Sequence, residues 1–190
     1  MTGGDLLPEE IRTGAAYESA RSDERVRLAE LQRHRRVSLG RILSLVFENR
    51  ETLQAALEEM LRTERTSEPG RVTAGVAAFN AVLPGNAVLG STLYIDVADP
   101  AELAQAIADL GGVERTVYLD VGGDRVAGVP DDAEAEDEAA GAWHVGFPLG
   151  APHQDAWRTG AEIAVGVEHP ACSARVVLAE AQRRAIGADL

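Results

Sequence analysis

Residues 91–129 and 142–179 run through the same order of signals: strand, helix, strand, tight turn, strand. In the first stretch Leu93, Ile95 and Val97 alternate with Thr92, Tyr94 and Asp96, the period of two expected of a strand with one face covered. Asp99-Pro100-Ala101-Glu102 then supplies an N-cap, a proline at the first helical position and an acid in the first turn. Leu103, Ala106, Ile107 and Leu110 form the stripe such a helix buries, and Gly111-Gly112 ends it. Val117, Leu119 and Val121 alternate again before Gly122-Gly123-Asp124 turns the chain into residues 125–129. The second stretch repeats the order with Trp143, Val145 and Phe147, a short helix over 152–158, Ile163, Val165 and Val167, a turn at His169-Pro170, then Val176 and Leu178. A strand pair joined by a tight turn is antiparallel. The fold class expected is therefore α+β: a mixed, mostly antiparallel sheet of six or seven strands with helices on one face, built on a βαββ internal repeat. The order is similar to metal-binding folds made of paired βαβββ modules, a likeness at fold level alone.

The repeat follows an N-terminal helical, arginine-rich module. Residues 1–14 read as a tail that is frayed or ordered on contact, and 17–36 as a helix with Tyr17, Ala20, Leu28 and Leu31 on one side. Residues 37–47 read as strand, turning at Gly40; the nearly continuous apolar run 42–47 suits a strand covered on both faces. Asn49 can cap the next helix, in which Leu53, Ala56, Leu57, Met60 and Leu61 recur at i, i+3, i+4, i+7, i+8. Pro69-Gly70 breaks it. Val72, Val76, Phe79 and Leu83 mark another helix ending at Pro84-Gly85, and residues 179–187 a terminal one. The division expected is 1–86 and 87–190, together one compact domain. Residues 131–140 form an acidic low-complexity loop.

Charge narrows the partners. All 18 basic residues are arginine and 31 residues are acidic. Without lysine there is neither a Schiff base nor a P-loop cation. Residues 72–190 hold 6 arginines against 18 acids, which argues against nucleic acid. No apolar run approaches the ~20 residues of a membrane span, and no secretory signal is visible. The lone Cys172 rules out an intrachain disulfide. A cytoplasmic protein is expected.

Within this acidic chain residues 33–41 carry Arg33, Arg35, Arg36 and Arg41 and no acid. Guanidinium forks match phosphate and carboxylate. With Asn49 and Arg50 at a helix start, where backbone N–H groups attract anions, they form a candidate ligand-binding set, with Glu48 as base. Internal salt bridges are the competing reading. Asp96 and Asp120 lie in matching Tyr-x-Asp-Val contexts and would be neighbours if their strands paired, giving an acid–base pair. His144, Glu162, His169 and Cys172 are candidate metal ligands, on residue type alone. No cofactor is indicated, and phosphate-loop, nucleophile-elbow and two-cysteine motifs are absent.

Arg33-His34-Arg35-Arg36-Val37-Ser38-Leu39-Gly40, then Leu45-Val46-Phe47-Glu48-Asn49-Arg50-Glu51-Thr52 and Glu59-Met60-Leu61-Arg62-Thr63-Glu64-Arg65, resembles the bacterial DUF3501 family. Phe79-Asn80-Ala81-Val82-Leu83-Pro84-Gly85, His144, His169-Pro170 and Ala188-Asp189-Leu190 extend the likeness over nearly the whole chain. Cys172 departs from a tyrosine-like position, and the segment around the acidic loop is altered. The resemblance implies a role near rubrerythrin-like and iron–sulfur proteins, hence near redox or oxidative-stress chemistry. The function expected is a non-catalytic accessory protein, homo-oligomeric, whose arginine-rich module binds an acidic partner or an anion. The alternative is a small metal-dependent or acid–base enzyme with a His/carboxylate site on the sheet face.

Overall fold

The computed structural model of the chain describes residues 4–83, 87–131 and 141–190. The α+β class holds, and the strands divide between two antiparallel sheets. The N-terminal module supplies α1 (Gly14–Arg33), β1 (Arg36–Leu39), β2 (Leu43–Phe47), α2 (Arg50–Thr63) and α3 (Pro69–Ala81). The repeat supplies β3 (Val88–Ile95), α4 (Pro100–Asp109), β4 (Val117–Val121) and β5 (Asp124–Ala127), then, after the short β6 (Val129–Pro130), β7 (Ala142–Pro148), α5 (Ala151–Arg158), β8 (Ile163–His169) and β9 (Cys172–Val177). Helix α6 (Glu180–Gly187) closes it.

The two halves share strand–helix–strand–turn–strand order, and their equivalent strands meet. One sheet runs β1-β2-β3-β7-β6, the other β5-β4-β8-β9. The β3–β7 and β4–β8 pairs are both antiparallel, so each sheet is centred on one strand from each half. The expected single sheet becomes two because each strand–helix unit sends the chain from the first sheet to the second. Gly128 marks the return. A Cβ there would lie 2.6 Å from Val145 Cγ1 and 3.0 Å from the Val117 carbonyl, so only glycine lets the chain pass between sheets.

One aliphatic core fills the space between the sheets. It takes Leu45 and Phe47 from β2, Leu93 from β3, Val145 and Phe147 from β7, Leu119 from β4 and Val165 from β8, with Trp157 and Ile186 from the helices. Phe47 and Phe147 tilt at 39° with centroids 6.1 Å apart, the main aromatic contact in a chain with few rings. A second cluster joins Leu57 and Leu61 of α2, Val72 and Val76 of α3, and Leu6 and Ile11. Residues 4–13 are thus fastened rather than frayed: Leu6 N donates to Asn80 Oδ1 at 2.8 Å and Asn80 Nδ2 donates back at 3.0 Å.

Asn49 caps α2 as expected, accepting from Thr52 N at 3.0 Å while its own N–H donates to Thr52 Oγ1 at 2.8 Å. Helix α1 stops at Arg33 instead of reaching Arg36, because Arg36 enters the β1–β2 ladder opposite Val46. Pro69 opens α3 rather than breaking α2, which has ended by Glu64. The expected helix end at Pro84-Gly85 and nearly all of the acidic loop lie outside the described residues. No helix among the described residues is long and apolar enough to cross a membrane.

Candidate functional site

The outer face of the five-stranded sheet carries the side chains of even number in β2, β3 and β7, since their odd-numbered neighbours fill the core. Register places Val46 opposite Thr92 and Thr92 opposite His144. Glu48 follows β2 on the same parity and its N–H donates to the Gly90 carbonyl at 2.9 Å. Strand pairing therefore brings Glu48, Thr92 and His144 together from segments 44 and 52 residues apart. Thr92 Oγ1 lies 2.9 Å from Glu48 Oε1 and 3.1 Å from His144 Nδ1.

A cavity of about 390 Å³ opens beside this cluster. Gly90 and Gly146 face each other across β3 and β7, so its floor has no side chains at that point. Ala81, Val82 and Leu83 at the end of α3 form one wall, and Val129, Pro130 and Asp131 the other. Glu48 and His144 supply the polar end. The volume falls in the usual range for small-molecule sites, which are mostly apolar with a few placed polar groups. Among the described residues the charged side chains in the lining, Glu48 and Asp131, are acidic, and no arginine lines it.

Glu48 is 7 % exposed. Burial pushes its carboxyl above the ordinary carboxylate range, against hydrogen bonds with Thr52 and Thr92 and the charges of His144 and Arg35, all of which favour the ionised form. The folded state thus holds this proton more tightly than the unfolded chain. The stability this contributes is complete below the ordinary glutamate range and is lost as pH rises through the raised value. A carboxyl kept neutral in an apolar site is a common arrangement for acid–base chemistry.

The remaining predicted residues lie elsewhere. Arg35 is 3 % exposed and forks onto Asp189 at 2.7 and 3.2 Å, with a further bond to the Ala185 carbonyl at 2.9 Å. Arg36 pairs with Asp96, and Arg50 with Glu10 and the Gly4 carbonyl. Arg33 and Arg41 are exposed, Arg33 beside Glu30 at 3.8 Å. The six ligand-binding candidates do not converge on one point of the surface. Asp96 and Asp120 are not neighbours, because β3 and β4 lie in different sheets. Asp120 accepts from Arg175 at 2.9 Å, which holds its carboxyl below the usual range. It belongs to an exposed ion-pair lattice with Glu162, alongside Arg125 and Glu168.

Of the metal candidates, His144 belongs to the cavity and Glu162 to that lattice. His169 and Cys172 are cross-strand partners at the β8–β9 turn, with His169 Nε2 3.3 Å from the Gly111 carbonyl. Among the described residues no group of three or more His, Cys, Asp or Glu is placed to hold a metal ion. Thr92, the link in the cluster, escaped sequence reasoning. Its one signal was parity, which puts it on the polar side of β3 with Tyr94.

No curated protein matches the chain. A crystal structure from Burkholderia pseudomallei K96243, described as a novel protein of unknown function, superposes with a TM-score of 0.88 at 26 % identity, over 100 % of both chains. The family model described as protein of unknown function (DUF3501) matches residues 5–190, essentially the whole chain, which therefore belongs to that family.

Proposed function

We propose that the chain is a small acid–base enzyme whose cavity takes a compact, largely apolar molecule with one hydrogen-bonding head. The head sits at Glu48 and His144 and the apolar body lies over Gly90 and Gly146. The observation that carries this reading is the buried carboxyl of Glu48 at the polar end of a mostly apolar cavity. An acidic lining without arginine favours a neutral or cationic head over an anion. Glu48, itself almost wholly buried, holds a proton at the head.

A second reading keeps the arginine segment as a surface for an acidic partner. Exposed Arg33 and Arg41 support it, but Arg35, Arg36 and Arg50 are engaged within the chain. The cavity reading is therefore preferred.

A ligand-observed NMR screen of neutral and cationic fragments tests it. The proposal expects hits with an apolar body and a single carbonyl, hydroxyl or amine head. A Cβ on Gly146 would already lie 3.2 Å from Val88 Cγ1, so Gly146→Val fills the floor and should abolish those hits while the far-ultraviolet spectrum is unchanged. Hits that persist in Gly146→Val, or a screen dominated by anions, would contradict the reading.

A further inference from the structure

The register that brings Glu48 to the cavity also lays out its floor. Across the outer face of the five-stranded sheet one row runs Glu48, Gly90, Gly146, Val129. The Glu48 N–H donates to the Gly90 carbonyl at 2.9 Å, Gly90 faces Gly146, and Gly146 faces Val129. The middle of that row is bare backbone on two adjacent strands. Its neighbouring rows are not bare: Val88 and Pro148 close it on one side, Thr92 and His144 on the other. Strands lie about 4.8 Å apart and successive rows on one face about 7 Å apart, so the recess is about as wide as it is long. That shape suits a ring, since an alkyl chain would need small residues to continue along the strands into the next rows. A planar ring can lie at van der Waals distance from the two glycine backbones, which a Cβ on either strand would prevent.

We infer that the molecule this cavity takes is a planar aromatic or heteroaromatic ring, lying flat on Gly90 and Gly146 and donating an N–H at its edge to the carboxyl of Glu48. The inference rests on the reading of the cavity as a small-molecule site, and it names the class of molecule bound there. Glu48 ends the glycine row, so it stands beside a ring on that floor rather than beneath it, and the contact is made at the ring's edge. Thr92 and Thr52 hydrogen-bond to the Glu48 carboxyl, Thr92 at 2.9 Å from Oε1. A carboxylate has about four acceptor sites, and the protonated form keeps accepting capacity. An N–H is therefore accepted whether Glu48 is ionised or neutral, and the contact makes no demand on His144. Among the described residues the charged side chains of the lining are acidic, which favours a donor head over an anionic one. At the far end of the row Val129 is 57 % exposed, an apolar edge for the ring to cover.

Matched pairs of small molecules titrated into the full chain by ligand-observed NMR test this. Benzamide and cyclohexanecarboxamide share a head and differ in the flatness of the ring. Indole and benzofuran share a flat ring and differ in the N–H. Benzamide should bind roughly tenfold more tightly than cyclohexanecarboxamide, and indole roughly tenfold more tightly than benzofuran. Gly146→Ala, whose methyl would lie 3.2 Å from Val88 Cγ1, should remove the preference for benzamide. Glu48→Leu should remove the preference for indole. Equal binding within the first wild-type pair overturns the flat-ring floor, and equal binding within the second overturns the contact with Glu48; both comparisons stand even where a variant fails to fold. Failure of both benzamide and indole to bind while other fragments do overturns the inference and leaves the cavity reading in place. Fragment hits that survive Gly146→Val overturn the cavity reading instead, whatever the shape of the fragments.

Discussion

Asp189→Ala is expected to destabilise the fold by about 3–5 kcal/mol, the usual cost of removing one partner from a buried ion pair. Arg35 is almost wholly buried, and Asp189 neutralises it through two hydrogen bonds. Without that carboxylate the guanidinium keeps only the Ala185 carbonyl, while its Nε already has no partner. The charge cannot escape by deprotonation, because arginine stays protonated at any workable pH. Chemical denaturation should show a lower midpoint with an unchanged slope. Arg35→Met combined with Asp189→Leu should recover most of the loss, because the penalty lies in the orphaned charge rather than in the missing attraction. A single mutant within about 1 kcal/mol of the wild type would mean that Arg35 finds water in the folded state.

Arg12→Ala is expected to cost nearly as much, near the lower end of the same ~3–5 kcal/mol range. Glu58 of α2 has a side chain only 1 % exposed, and Arg12 reaches it from Nε at 3.1 Å and from Nη2 at 2.9 Å. The Arg12 backbone N–H adds a third bond at 2.9 Å, which the substitution spares. Leu6 and Ile11 pack on Leu57 and Leu61 of the same helix, so the ion pair and the apolar contacts hold one segment. Hydrogen exchange at the Leu6 amide, which donates to Asn80, should rise in Arg12→Ala before the sheets are affected. Equal loss of protection in β3 and β8 would show instead that residues 4–13 unfold only with the whole domain.

Much of the fold was legible because local signals and tertiary structure agree. The stripe from Leu53 to Leu61, the Asn49 cap, the Asp99-Pro100 helix start and the turn at Gly122-Gly123 all appear where the residues place them. The βαββ order was legible for the same reason. The division into two sheets was not, since it depends on where the chain crosses between layers, and Gly128 signals that crossing only once Val145 and Val117 are beside it. The arginines of residues 33–41 were conspicuous in sequence, yet two of the four are answered by acids far along the chain, Arg35 by Asp189 and Arg36 by Asp96, pairings no local pattern reports. Glu48 and His144 were each singled out for their chemistry but assigned to separate sites. What joins them is an unremarked threonine and a strand register set by the sheet as a whole.

The central claim is that Glu48 presents a carboxyl which burial raises above the ordinary range at the polar end of the cavity. Titration of the Glu48 side-chain carboxyl by ¹³C NMR, assigned by its loss in Glu48→Gln, tests this most directly. The account predicts a midpoint clearly above the ~4.3 of an unperturbed glutamate. A midpoint at or below that value would mean that Thr52, Thr92, His144 and Arg35 outweigh burial, leaving a carboxylate with no proton to give.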